Sequence, residues 1–135
     1  MTLSIVKDSI DLGIITKEPE KMLTFYRDTL GLAPEGEIPM PGGGTMYRLK
    51  CGSSVIKIVV NGKEPAAAAP PGGIRGATGY RYWTITVDNL EQSVDACKNA
   101  GYQVVVPVNE FRPGVSIAII EDPDGNWVEF VQISG

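Results

Sequence analysis

The sequence predicts an α+β protein of two βαβββ modules, whose curved mixed sheets form a cup-shaped cleft with the helices on the convex faces. Three observations carry that prediction. Strand-like and helix-like periodicities run in one order, break off in a stretch rich in Gly, Pro and Ala, and begin again in the same order. Matching elements stand at an almost constant offset: Asp11 falls on Tyr82, Gly31 on Gly101 and Lys57 on Glu129, separations of 71, 70 and 72 residues. The strands of both halves also give one apolar face suited to a helix and a second face that is neither dry nor solvent-like, and two sheets sharing that second face enclose a cleft. Module one takes residues from about 8 to 61, a linker about 62–79, and module two about 80–135, all within one domain.

Element by element, "SIDLGIIT" reads as a strand. "EPEKMLTFYRDTLGL" reads as a helix with Pro19 in its first turn, an apolar stripe of Met22, Leu23, Tyr26 and Leu30, and Gly31 as its stop. "APEGEIPMPGGGT" reads as a loop, its "PGGGT" a mobile segment over the cleft mouth, since no GK[ST] or helix follows to make it a phosphate loop. "MYRLK" and "SVIKIVV" flank "CGSS" as a hairpin, and "NGKEPAAAAPPGGIRGATG" has little power to form either element. After it come the strand "YRYWTITV" and the helix "NLEQSVDACKNAG", with Asn89 as N-cap, Gln92 three residues on, and a stripe of Leu90, Val94 and Cys97. The strands "GYQVVVPV", "VSIAII" and "NWVEFVQI" follow, the last two joined at "EDPDG", which reads as a turn and not a calcium loop because the spaced acidic ligands are missing.

Composition narrows the functions. Twelve Lys/Arg against sixteen Asp/Glu give a net charge of −4 with no basic stripe, which argues against nucleic acid as a partner. The aliphatic runs fall far short of the roughly 20 residues of a membrane span, and "MTLSIVKDSIDLGI" lacks a basic start and cleavable apolar segment, so the expectation is a soluble, cytoplasmic protein with no membrane partner. Cys51 and Cys97 read as reduced structural thiols, with one disulfide left open. The chain has no histidine, which removes the commonest general base and the commonest transition-metal ligand together.

The chemistry gathers around "SSVIKIVV", where Lys57 stands between aliphatic neighbours. Strand alternation puts Ile56, Ile58 and Val60 on one face and Val55, Lys57 and Val59 on the other. A lysine buried alone shifts its pKa by roughly 3–5 units, about 4–7 kcal/mol, comparable to the whole stability of a small domain. It therefore needs counter-ions, and Glu129 and Asp11 are the candidates. The hairpin places Arg48 across from Lys57, and pairing around "EDPDG" is expected to set Ala118 beside Glu129. In "YRYWTITV", Tyr82, Thr84 and Thr86 form the polar, uncharged face opposite Trp83, Ile85 and Val87. Trp127 and Tyr80 are placed to stack on a flat ligand, or else fill the core.

"FYRDTLGL" and "EDPDGNWVEF" at their observed distance resemble the glyoxalase/bleomycin-resistance/dioxygenase family, the vicinal oxygen chelate fold, over essentially the whole chain. The resemblance implies paired βαβββ units, a frequent homodimer, and a divalent metal held by one residue from the first and last strand of each unit. Those positions hold Asp11, Lys57, Tyr82 and Glu129, of which only Glu129 keeps the family's residue type. A lysine ammonium has no lone pair to give, so the expectation is no metal and no cofactor, with Lys57 as the cation in its place. Asp11, Lys57, Tyr82 and Glu129 then become the candidate catalytic set of a metal-independent lyase or isomerase on a small carbonyl or oxygen-rich substrate. Asp11 or Glu129 is the base, Lys57 with Arg48 holds an oxyanion, and Tyr82 donates a proton. Arg48, Tyr80, Thr84, Ala118 and Trp127 are the candidate ligand-binding residues. The same residues also suit a purely structural polar network, or a non-catalytic protein that sequesters an aromatic small molecule.

Overall fold

The computed structural model describes residues 2–134 and divides at Ala66/Ala67 into two compact units. Each unit has the strand–helix–three-strand order and a mixed four-stranded sheet. In the first unit β1 (Leu12–Ile15) leads into α1 (Pro19–Leu23), which widens without a break into a π-helix (Thr24–Thr29), and β2 (Ala33–Pro39), β3 (Gly44–Cys51) and β4 (Ser54–Asn61) follow. The sheet order is β1-β4-β3-β2, with β1 parallel to β4 and the other pairs antiparallel. Proline sits at the start of α1, where its missing N–H costs nothing, and the Glu18 amide just ahead donates to Thr16 Oγ1 at 2.9 Å. At the far end the Leu30 amide reaches back five residues to the Phe25 carbonyl at 2.9 Å.

Met22, Leu23 and Tyr26 of the expected stripe are buried, whereas Leu30 is partly exposed and Phe25 joins the core instead. Phe25 lies three residues beyond Met22 on the same helical face and meets Tyr26 edge-on, ring centres 4.7 Å apart at 85°. The segment read as a Gly/Pro loop is in fact the edge strand β2 and a tight turn to β3, where Met40 and Gly44 pair through a 3.1 Å bond. An edge strand uses only one of its two hydrogen-bonding sides, so Pro34 and Pro39 do not break it.

The second unit opens with a short 3₁₀ turn (Gly73–Arg75) in the stretch expected to lack structure. Arg81 fastens it: Nε donates to the Gly73 carbonyl at 2.6 Å, and Nη2 to the Pro70 and Pro71 carbonyls at 2.7 and 3.2 Å. Then follow β5 (Tyr82–Thr86), α2 (Leu90–Asn99), β6 (Val104–Arg112), β7 (Val115–Glu121) and β8 (Trp127–Ile133), in sheet order β5-β8-β7-β6. Leu90, Val94 and Cys97 form the buried stripe of α2 as expected. The cap differs from the expectation. Asn89 holds the N-cap position without capping an amide through its side chain, which accepts instead from the Ser93 hydroxyl at 3.1 Å, and Gln132 of β8 receives the Leu90 N–H at 2.9 Å.

Gln132 also identifies the helix-covered face of the sheet. Val128 and Phe130 share its side of β8, and Ile120 and Ala118 are their partners on β7; all four are buried. Burial raises both thiols, Cys97 to about 11, as expected of reduced packing residues. Among the described residues no helix is long and apolar enough to cross a membrane.

Candidate functional site

Lys57 and Glu129 occupy the same register position in their two sheets. In unit one the strands align a cross-sheet row, Gly13–Lys57–Arg48–Gly36, from β1 through β4 and β3 to β2. In unit two the corresponding row is Thr84–Glu129–Ile119–Val106, from β5 through β8 and β7 to β6. Directly paired residues present their side chains to one face, so each row is a line of neighbours.

In the first row Arg48 faces Lys57 as expected, two cations in direct apposition and both partly withheld from water. Glu35 reaches Arg48 Nη2 at a long 3.4 Å. Lys57 enters no ion pair within its unit among the described residues. Asp11, its expected counter-ion, is engaged elsewhere: Oδ1 accepts from Lys7 Nζ at 2.7 Å and from the Val55 amide at 2.8 Å. These two bonds, helped by the positive charge of Lys7 itself and by that of Lys57, hold the Asp11 carboxyl below the ordinary aspartate value. Asp11 precedes β1 and pins the start of the β1–β4 pairing.

In the second row Thr84 Oγ1 donates to Glu129 Oε1 at 2.7 Å, fixing the direction of a half-buried carboxylate. Ile119 is the residue beside Glu129, and this corrects the expectation for Ala118, which pairs with Phe130 on the helix side and is fully buried. The cause lies in the turn. The Asp122 amide bonds the Asn126 carbonyl at 2.8 Å, while Asp122 Oδ1 accepts from the amides of Asp124 and Asn126, both at 2.9 Å. Three residues are left at the tip, so the register moves by one and exchanges the faces.

The aromatic candidates separate. Tyr82 is half exposed on the face of Thr84, and Tyr80 is fully exposed ahead of β5. Trp127 is 8% exposed, its Nε1 donates to Glu121 Oε2 at 3.3 Å, and Gly73 lies directly against the indole. A side chain at position 73 would occupy the space of the ring itself, and φ there is +52°. The 3₁₀ turn thus covers the stacking surface that the sequence suggested for a ligand.

Lys57 supplies no lone pair when protonated, Asp11 is committed to Lys7 and a backbone amide, and among the described residues no group of three or more His, Cys, Asp or Glu is placed to hold a metal ion. The sequence reading missed Gly13 and Gly36 as the ends of the cationic row. A glycine inside the β-branched run "LGIIT" was the available signal, since glycine in a strand marks a place something else approaches.

Residues 9–130 match the Glyoxalase/Bleomycin resistance protein/Dioxygenase superfamily. Lactoylglutathione lyase of Neisseria meningitidis serogroup A is 27% identical over 121 residues, covering 84% of this chain and 81% of that protein. Among solved structures, a glyoxalase family protein from Bacillus cereus has a TM-score of 0.83 at 17% identity, over 100% of this chain and 99% of its own. Lactoylglutathione lyase from Agrobacterium tumefaciens has a TM-score of 0.66 at 19% identity, over 96% of each chain.

Proposed function

Because the chain belongs to the Glyoxalase/Bleomycin resistance protein/Dioxygenase superfamily, we propose that it is a metal-independent lyase or isomerase acting on a small carbonyl or oxygen-rich substrate. The observation that carries the proposal is the Thr84–Glu129 pair, a half-buried carboxylate oriented by one hydroxyl. In this reading Glu129 takes a proton from the carbon next to a carbonyl, and the C–H electron pair moves to give an enolate. Tyr82, on the same face of the second sheet as Thr84 and Glu129, gives that oxygen a proton. For a substrate with a hydroxyl on the deprotonated carbon, delivery of the proton to the former carbonyl carbon while that hydroxyl's proton returns to the Tyr82 phenolate completes an isomerisation, whereas loss of a leaving group from the atom beyond the deprotonated carbon, as the enol proton returns to Tyr82, completes a lyase reaction.

Glu129 is preferred over Asp11 as the base because the bonds from Lys7 and Val55 depress the Asp11 carboxyl and make it the weaker proton acceptor. The similarity to lactoylglutathione lyases supports a carbonyl-centred reaction. Sequestration of an aromatic ligand ranks second, since Gly73 already covers Trp127. The test is exchange of the carbon-bound lactoyl proton of lactoylglutathione in D2O, followed by NMR with EDTA present. Exchange in the wild-type chain and its loss by about 10²–10⁴-fold in Glu129→Gln is the expected result. Equal exchange in both proteins, or its abolition by EDTA, overturns the proposal, and the absence of exchange moves the assignment to binding.

A further inference from the structure

The row in the first unit carries more positive charge than a transient oxyanion calls for. Lys57 and Arg48 are directly opposed across β3 and β4, an arrangement that costs stability when no anion lies between the charges. Glu35 answers only Arg48, and only at 3.4 Å, while the Asp11 carboxylate is held by Lys7 and the Val55 amide. The positions that flank the two cations on either side are both glycine. At Gly13 and at Gly36 a Cβ would meet nothing within 4 Å, so the cations stand between two open places. Gly36 has φ +134° beside a register shift between Pro34 and Gly36, a conformation that keeps side chains out of that place.

We propose that the Gly13–Lys57–Arg48–Gly36 row is a binding site for a permanent oxyanion, a carboxylate or phosphate carried by a small-molecule ligand. A guanidinium and an ammonium side by side offer charged donors to two oxygens of one such group, and the flanking glycines leave room for the atoms attached to it. The inference goes beyond the catalytic reading above and stands on the first unit alone.

The experiment is a titration of the intact chain at low ionic strength with pyruvate and, separately, with inorganic phosphate, followed by the NMR shifts of residues 13, 36, 48 and 57. Saturable shifts centred on the row, with each probe displacing the other, are expected; tighter pyruvate assigns a carboxylate and tighter phosphate a phosphate ester. Lys57→Gln is expected to weaken binding about tenfold or more. Gly13→Val guards against a folding artefact: the new side chain enters open space on a strand, so the protein stays folded while the place beside Lys57 is filled and affinity falls by a similar factor. Unsaturable shifts, shifts centred elsewhere, or unchanged affinity in both variants overturn the site. The readout needs no turnover, so intact anion binding without proton exchange rejects the catalytic reading alone, and exchange without anion binding rejects this site alone.

Discussion

The two sheet rows are built on the same backbone and carry opposite chemistry. Gly13 aligns with Lys57 in the first unit as Thr84 aligns with Glu129 in the second, each pair joining the first and last strands in parallel register. One row presents two cations between glycines, and the other a single carboxylate fixed by a hydroxyl between Thr84 and Ile119. The repeat therefore constrains the path of the chain and leaves the charge of the equivalent positions free. A similar contrast holds for the helices. The π-helix of the first unit buries Phe25, while Ala96, at its place on the regular α2, is exposed.

The largest effect expected from breaking this contrast is in activity. Glu129→Gln keeps the acceptor for Thr84 but removes the base, so turnover should fall about 10²–10⁴-fold while the thermal midpoint hardly moves, as paired rate and melting measurements would reveal. Phe25→Ala attacks the helix contrast. Its side chain is fully buried, so chemical denaturation should report a loss of about 3–5 kcal/mol, whereas an Ala96→Ser change on the exposed counterpart should stay within about 0.5 kcal/mol.

How far the sequence foretold this arrangement depends on what fixed each residue. Alternation in "SSVIKIVV" and the short link "CGSS" were enough to place Arg48 opposite Lys57, because a two-residue and a four-residue closure of that link give the same pairing. Ala118 was misplaced because the register at "EDPDG" follows the Asp122–Asn126 hydrogen bonds, which a turn motif does not count out. β2 was missed because proline and glycine speak against a strand unless its edge position is known, and edge position is a property of the whole sheet. The partners of Asp11 were missed for a related reason. Lys7 lies four residues away outside any regular element, where spacing carries no directional rule.

Two smaller effects sharpen the picture. Gly73→Ala drives a methyl group into the Trp127 ring at a φ that favours glycine. It should cost about 1–3 kcal/mol and shift the tryptophan emission to the red as the 3₁₀ turn lifts away. Thr84→Val removes one hydrogen bond to Glu129, a change of about 0.5–1.5 kcal/mol in stability, with a fall in kcat at unchanged KM as the signature that the hydroxyl orients the base. The smallest effect concerns Asp11. Its folded carboxyl titrates below the ordinary 3.8, so the unfolded chain binds the extra proton between the two values. The stabilisation is complete above that ordinary value and is lost as pH falls through the folded one. Acid titration of stability should be shallower for Asp11→Asn than for wild type, with Asp28, similarly depressed by Arg27, contributing equally to both curves.

The central proposal is that Lys57 supplies a positive charge at a position where the resemblance to the family implies a metal ligand. Elemental analysis of protein purified without affinity-tag metal tests it most directly, read against protein concentration and repeated on Lys57→Glu, which restores a carboxylate. The account predicts far less than one equivalent of zinc, nickel, manganese or iron for the wild-type chain. About one equivalent per chain, lost on chelation together with activity, would contradict it.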